Sequence, residues 1–283
     1  MILDGRKIKS EIMDELKLTV DKLEIKPKLV VIQIGDNEAS NIYINQKKKM
    51  CEYIGYQFEL KKYDEDIKEE ELLKIIDKLN KDEKVNGILV QMPIPKHINA
   101  DKIQNAIEYV KDVDGLTDIN TGILFHNKEG LYSCTPLGIM ELLDRYNINV
   151  RSKHVVIVGK SNLVGKPLIG LMLNKGATVT SCNSLTKDLG KYTNEADILV
   201  VAVGKPKLIT SDMVKDGAIV IDVGINRYGD SIVGDVDYEL VKDKASYITP
   251  VPGGVGQMTV AMLAKNILLA YLKQQNGHDN DVL

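Results

Sequence analysis

The sequence contains no tryptophan and only two phenylalanines among its 283 residues, so its cores must be aliphatic, built from Ile, Val and Leu. Cysteine is nearly as scarce. Cys51, Cys134 and Cys182 are isolated, odd in number and form no CxxC pair, which excludes a disulfide framework and favours a reducing compartment. Charge of one sign is lacking too. Lys and Arg total 37 against 40 Asp and Glu, for a net charge of −3; such a chain has no global attraction for nucleic acid or an anionic membrane. No apolar run approaches the roughly 20 residues that span a bilayer, and Met1-Ile2-Leu3-Asp4-Gly5-Arg6 has no signal-peptide layout. The expectation is a soluble, cytoplasmic protein with no nucleic-acid or membrane partner.

What is present is ordinary globular composition, 44% apolar and 27% charged, at a length that suggests two domains. Strands are expected at Lys28–Ile34, Gln57–Lys61, Gly87–Gln91, His154–Val158, Ala177–Cys182, Ile198–Val203, Ala218–Val223 and Ser246–Thr249. Most are short, β-branched and scarcely interrupted by polar residues, as suits parallel strands covered on both faces. Amphipathic stretches lie between them at Ala39–Tyr53, Lys68–Asn80, Pro136–Tyr146 and Val164–Asn174, with a last helix at Met258–Lys273 and a polar tail, Gln274–Leu283, expected to fray. Alternating strands and helices argue for α/β architecture. The division falls between Gly115 and Pro136.

The segment His154-Val-Val-Ile-Val-Gly159-Lys-Ser-Asn-Leu-Val-Gly165-Lys-Pro167 reads as a strand, a tight turn and a helix start. Glycine lets a backbone approach a phosphate, and a helix N-terminus offers free N–H groups with positive potential. The spacing departs from GxGxxG, because Ser161 takes the place of the second glycine and the last glycine is one residue late. An ordinary βα turn remains an alternative. The following strand ends Ser181-Cys182-Asn183-Ser184-Leu185, without the carboxylate that usually reads a free ribose diol. Hydroxyl and amide groups there, with Lys160, suit a 2′-phosphate, so NADP is favoured over NAD.

After the first strong strand, Ser40, Tyr43 and Lys47 are spaced i, i+3, i+7 and share a helix face, which Asp36 or Asn37 can cap. Tyr and Lys would supply a ring for stacking and a tunable proton donor or acceptor. Spacing leaves a second reading open: Lys47, Lys48 and Lys49 run together and could be a solvated basic surface. Gln91, at the end of the strand before Met92-Pro93-Ile-Pro95, could orient a neighbouring lysine or merely cap the strand. In Lys111-Asp-Val-Asp114-Gly115, Asp114 could accept hydrogen bonds from an amino-heterocycle or belong to an Asp-Gly turn.

Taken in order, Ser40-x-x-Tyr43-x-x-x-Lys47, Asn80-x-Asp82, Ile88-Leu-Val-Gln91-Met-Pro93, Lys111-Asp-Val-Asp114-Gly115, Thr135-Pro136, Gly159-Lys-Ser161, Val164-Gly165-Lys-Pro167 and Pro252-Gly-Gly-Val-Gly256-Gln-Met-Thr259 resemble the methylenetetrahydrofolate dehydrogenase/cyclohydrolase family across nearly the whole chain. The resemblance implies two α/β domains with a cleft between them, the second a Rossmann-like dinucleotide-binding domain. The expected boundaries are 1–120 for a folate domain, completed by helix 258–273, and 121–257 for the NADP domain.

By the same resemblance, Lys47 is the catalytic lysine, Gln91 its hydrogen-bond partner, Tyr43 the tyrosine beside the folate ring and Asp114 the pterin anchor. Gly253 and Gly254 face substrate, while Gly159, Lys160, Ser161, Gly165, Ser184, Gly256 and Thr259 form the cofactor set. No metal is implied. The family's partners are tetrahydrofolate derivatives, and its members are usually homodimers. The implied activity is oxidation of 5,10-methylenetetrahydrofolate with NADP+ followed by hydrolysis. The alternatives are a monofunctional dehydrogenase and a catalytically silent nucleotide-binding module. Four positions depart from the family pattern. Gln257 stands where proline is usual, Lys160 where arginine is usual, and Asn183 and Leu185 where histidine and a basic residue are usual.

Overall fold

In the computed structural model, which describes residues 1–229 and 231–280, the chain forms two compact units, neither of them continuous in sequence. One comprises Glu11–Ile123, Lys128–Tyr132 and the chain from Leu263. The other comprises Met1–Ser10, Leu124–Asn127 and Ser133–Met262. Helix α1 (Gly5–Asp21) begins in the second and continues in the first.

The first unit is built on a three-stranded parallel sheet, β1 (Lys28–Ile34), β2 (Gln57–Tyr63) and β3 (Gly87–Val90), in the order β2-β1-β3. Between them lie α2 (Glu38–Ile54) and α3 (Glu69–Lys81), followed by α4 (Ala100–Asn105) and α5 (Asp118–Phe125). β1 is central and buried from Leu29 onward, which explains its unbroken apolar run. Asn37 caps α2 by accepting the Ser40 N–H at 3.1 Å. α3 carries Glu69, Glu70 and Glu71 in its first turn and Lys78 and Lys81 in its last, the arrangement its dipole favours. Leu72, Ile76 and Leu79 recur at helical spacing on its buried face.

The second unit holds α6 (Cys134–Arg145), β4 (His154–Val158), α7 (Gly165–Asn174), β5 (Thr178–Cys182), α8 (Leu189–Thr193) and β6 (Ile198–Val201). It continues through β7 (Ile219–Asp222), an antiparallel hairpin of β8 (Asn226–Tyr228) and β9 (Ser231–Val233), α9 (Tyr238–Val241) and β10 (Tyr247–Ile248). Its five-stranded parallel sheet runs β10-β7-β6-β4-β5. The order reverses at β4: the chain passes out to β5 and returns across β4 to β6. Parallel sheets place ligands outside the carboxyl ends of their strands at such a switch point. In the three-stranded sheet the reversal falls between β1 and β3.

Helix α10 (Val255–Asn280) starts earlier than the sequence pattern suggests and runs past Gln274, where fraying was expected. Gln274 is held by main-chain carbonyls, donating from Nε2 to Asn86 O at 2.9 Å and Val110 O at 3.1 Å; residues 281–283 of the expected tail lie outside the described residues. The stretch Val255–Gln275 also corrects the reading that no segment reaches bilayer length. It is 21 residues long and apolar enough to cross a membrane, yet more than half of it is buried inside the protein, where it serves as a core helix.

Leu72 is fully buried among Ile76, Val85, Ile88 and Ile103. Leu72→Ala should lower stability by about 2–5 kcal/mol, the cost of lost burial plus a cavity. Urea unfolding measures it, and an unchanged midpoint would mean that this face of α3 does not hold the core.

Candidate active site

In the three-stranded unit, α2 starts just past the carboxyl end of β1 and carries Ser40, Tyr43 and Lys47 along one face. Ser40 is buried and donates from Oγ to Met92 O at 3.2 Å. Tyr43 is half exposed. Of the three consecutive lysines only Lys47 is partly buried; Lys48 and Lys49 are exposed. Lys47 donates from Nζ to Gln91 Oε1 at 2.7 Å. The Gln91 amide nitrogen donates to Met92 O at 2.7 Å, which turns its carbonyl toward the lysine. Gln91 is itself buried, so the ammonium is held by an acceptor that cannot swing into water. The solvated-surface reading fits Lys48, which pairs with Glu52 at 3.8 Å, but not Lys47.

The Asp114 loop is held from below by residues that the sequence did not single out for this purpose. Lys111, buried, donates from Nζ to the carbonyls of Leu79, Asn80 and Asp82 at 3.2, 2.6 and 2.8 Å, closing the C-terminal end of α3. Burial lowers its pKa, opposed by the charges of Glu108, Asp82 and Glu83. Asp112 is fully buried. Its Oδ1 accepts from Gly115 N at 3.0 Å and Gln104 Nε2 at 3.1 Å. Its Oδ2 accepts from Thr117 N at 2.8 Å and Asn120 Nδ2 at 2.9 Å. Burial pushes its carboxyl pKa up, and those donors partly oppose the shift.

Gly115 turns at φ +66°, a conformation that disfavours any side chain. Asn266, on α10, donates to Val113 O at 2.8 Å and Tyr132 O at 2.9 Å. The Asp-Gly turn therefore exists, and it presents half-buried Asp114. Asn266 left one faint trace in the sequence, an amide interrupting the apolar run Met258–Leu272.

In the five-stranded unit the loop after β4 is shaped by close backbone approach. Gly159 has φ +131°, and a Cβ there would lie 2.3 Å from Ala202 O; one on Gly165 would lie 2.2 Å from Gly159 O. Ser161 Oγ accepts from Val164 N at 3.1 Å, just before α7. A cavity of about 410 Å³ opens beside this loop, bringing together Gly159, Lys160, Ser161 and Ser184 with Asn183 and Lys205. Among the described lining residues there is no carboxylate. Leu185, where a second basic group was sought, is 82% exposed and does not line it. Lys205, on the turn after β6, was not anticipated.

The other predicted residues of this unit lie elsewhere. Gly165 supports the loop from behind. Gly253 and Gly254 are buried in the turn before α10; a Cβ on Gly254 would meet Pro250 O at 2.7 Å. Gly256 and Thr259 are in the first turns of α10, where the Thr259 hydroxyl pairs with that of Thr135 at 3.0 Å. Gln257, where the resembled family has proline, uses the N–H that proline lacks: it donates to Gly254 O at 3.1 Å. Its side chain accepts from Lys9 Nζ at 3.3 Å, and burial lowers the Lys9 pKa.

Residues 3–114 match the family model described as tetrahydrofolate dehydrogenase/cyclohydrolase, catalytic domain, and residues 133–275 match its NAD(P)-binding domain. The chain is 50% identical to the Bifunctional protein FolD of Fusobacterium nucleatum over 276 residues, 96% of this chain and 98% of that one. The crystal structure of the bifunctional methylenetetrahydrofolate dehydrogenase/cyclohydrolase FolD from Campylobacter jejuni superposes with a TM-score of 0.95 at 48% identity, covering 96% of this chain and 99% of that one. A Trypanosoma brucei methylenetetrahydrofolate dehydrogenase-cyclohydrolase, solved with NADP cofactor and an inhibitor, gives 0.91 at 34% identity, covering 96% and 97%.

Asp112→Asn turns an amide nitrogen toward donors that now meet a carboxylate oxygen. It should destabilise the protein by about 1–3 kcal/mol for each buried donor left unpaired. Chemical denaturation measures this, and wild-type stability would show that the Asp114 loop does not depend on the carboxylate.

Proposed function

The chain belongs to the tetrahydrofolate dehydrogenase/cyclohydrolase family, and we propose that it carries both activities of that name: oxidation of 5,10-methylenetetrahydrofolate to 5,10-methenyltetrahydrofolate with NADP+, then hydrolysis to 10-formyltetrahydrofolate. The observation that carries the bifunctional reading is the 2.7 Å hydrogen bond from Lys47 to a Gln91 carbonyl locked in place by Met92. A silent module has no need of a partly buried lysine held in this way, and a pure dehydrogenase has little.

The residues around the 410 Å³ cavity fit a dinucleotide. Gly159 lines it, Gly159 and Gly165 let the loop backbone pack more closely than any Cβ would allow, α7 begins at the end of that loop, and Lys160 supplies a cation. Lys160 and Ser184 would hold the 2′-phosphate of NADP, and the lack of a lining carboxylate suits a phosphorylated ribose. Bound there, the nicotinamide supplies a hydride acceptor. The protein's share of the oxidation is positioning, because two nitrogen lone pairs stabilise the cation left on the substrate carbon.

Hydrolysis makes a different demand. Water adds to the methenyl carbon and loses one proton to give a hydroxyl adduct. The hydroxyl then loses its own proton to become the carbonyl as the bond to N5 breaks and N5 gains a proton, leaving the formyl group on N10 and releasing one proton net. Lys47 is placed to manage these protons, with the Tyr43 ring beside the folate and Asp114 gripping the pterin through a charge-assisted hydrogen bond. A cationic substrate next to Lys47 would favour its neutral, proton-accepting form. A homodimer and a cytoplasmic location belong to the same reading. The three cysteines are buried and in no disulfide, which suits a reducing compartment.

Lys47→Met should lower cyclohydrolase activity by about 10²–10⁴-fold, the usual contribution of a general acid–base group, and dehydrogenase activity by less. Methenyl absorbance, corrected for spontaneous hydrolysis, should then persist in the variant and stay transient in the wild type. An equal fall in both activities would make Lys47 a substrate-positioning group. Separately, Lys160→Ala should raise the KM for NADP+ while sparing that for NAD+; equal losses with both cofactors would remove Lys160 from the 2′-phosphate site.

A further inference from the structure

The carboxyl edge of the five-stranded sheet contains two buried acids to which the chemistry above gives no role. Asp235 follows the hairpin and is fully buried. Its Oδ2 accepts from Val203 N at 2.7 Å and Gly204 N at 3.0 Å, and its Oδ1 accepts from Lys205 N at 2.8 Å. Oδ1 also accepts from Asn226 Nδ2 at 2.8 Å. One carboxylate thus takes three successive N–H groups of the turn after β6.

Asp222, the last residue of β7, is 3% exposed and lies behind Asp235. It accepts from Gly224 N at 3.0 Å, Asp235 N at 2.9 Å and Val236 N at 2.9 Å. Its own N–H donates to Thr249 Oγ1 at 2.7 Å, tying in the end of β10. Burial pushes its carboxyl pKa up to about 6, against the lowering effect of those N–H bonds, and the charge of Asp235 adds to the rise. The described charged side chains lining the cavity beside Asp222 are Lys207, Asp237 and Glu239, and Lys207 pairs with Asp237 at 3.6 Å. The two acids are met chiefly by amide dipoles.

The fit leaves no slack. A Cβ on Gly234 would fall 1.8 Å from Asp222 Oδ2, and one on Gly224 would fall 2.3 Å from Asp235 Cγ. The turn that Asp235 grips is a wall of the dinucleotide cavity, to which Val203 and Lys205 contribute. The neighbouring Ala202 carbonyl is the atom against which Gly159 packs. Displacing this turn would move the wall and the phosphate loop together.

We propose that Asp235, backed by Asp222, is a positioning residue for the dinucleotide: it holds the Val203–Lys205 turn in the shape that binds NADP+, so cofactor affinity depends on it while folate hydrolysis does not. The proposal rests on the NADP reading of this cavity. Asp235→Asn keeps the side chain's size but sets an amide nitrogen against main-chain N–H groups. NADP+ titrated into the variant by calorimetry should bind at least tenfold more weakly. The KM for NADP+ should rise with it, and dehydrogenase kcat at saturating cofactor should stay within about threefold. Hydrolysis of methenyltetrahydrofolate, which consumes no dinucleotide, should stay within about twofold and reports that the variant is folded.

Should Asp235→Asn fail to fold, Asn226→Ala removes one donor and leaves the three main-chain bonds. It should give the same pattern with a smaller rise in NADP+ dissociation constant, about threefold. Unchanged NADP+ affinity in a folded variant, or a parallel loss of hydrolysis, would overturn the proposal. A wild-type protein that hydrolyses the methenyl substrate but binds no NADP+ would instead overturn the reading on which it rests.

Discussion

A carboxylate removed from water has to be met by hydrogen-bond donors, and both units organise the loops at their carboxyl edges around that requirement. In the three-stranded unit Asp112 gathers Gly115, Thr117, Gln104 and Asn120. In the five-stranded unit Asp235 gathers Val203, Gly204 and Lys205, with Asp222 anchoring the strand behind it. Loops are ordinarily the mobile part of an α/β protein. Here each becomes part of a buried network in which removing one oxygen strands several donors. Rigidity is useful because hydride transfer depends on placing two reactants, and a loosely held loop would surrender that placement.

On α2 a related problem, fixing the direction of a partly buried lysine, is met by a hydrogen bond to a buried amide. The Gln91 amide carbonyl accepts from Lys47 Nζ and orients the ammonium. Gln91 is itself fixed through Met92, whose carbonyl also accepts from Ser40. Through this chain of hydrogen bonds Lys47 keeps its direction.

Much of this was legible in the chain. β1 and β4 coincide with the expected ranges because strands buried on both faces leave unbroken apolar runs. The Ser40, Tyr43 and Lys47 face was readable from spacing, and the tight loop between β4 and α7 from its glycines. The hairpin β8–β9 was not, because Tyr228 and Ile232 are exposed and its strands are three residues long, too short for a periodic signal. Nor was the distinction between Lys47 and its neighbours, since only the fold buries one and exposes two. The supports of the site were the hardest to see. Asn266 reaches Val113 across 153 positions, and Asp235 grips a turn about 30 residues earlier; local pattern carries no record of such partnerships.

Helix α10 has a consequence for how the protein forms. Its first residues belong to the five-stranded unit, and from Leu263 onward it belongs to the three-stranded one. Tyr56 donates to Ala264 O at 2.9 Å, Asn266 closes on Val113, and Gln274 reaches back to Asn86 and Val110. On a ribosome delivering about 5–20 residues per second, the β1–β3 segment emerges first but must wait for more than half the chain before these partners exist. The unit encoded first is thus completed last, with Tyr56 and Asn86 lacking their α10 partners in the interval. A truncated translation product that lost the stretch from Leu263 would keep its folate motifs and lack the helix that closes their core.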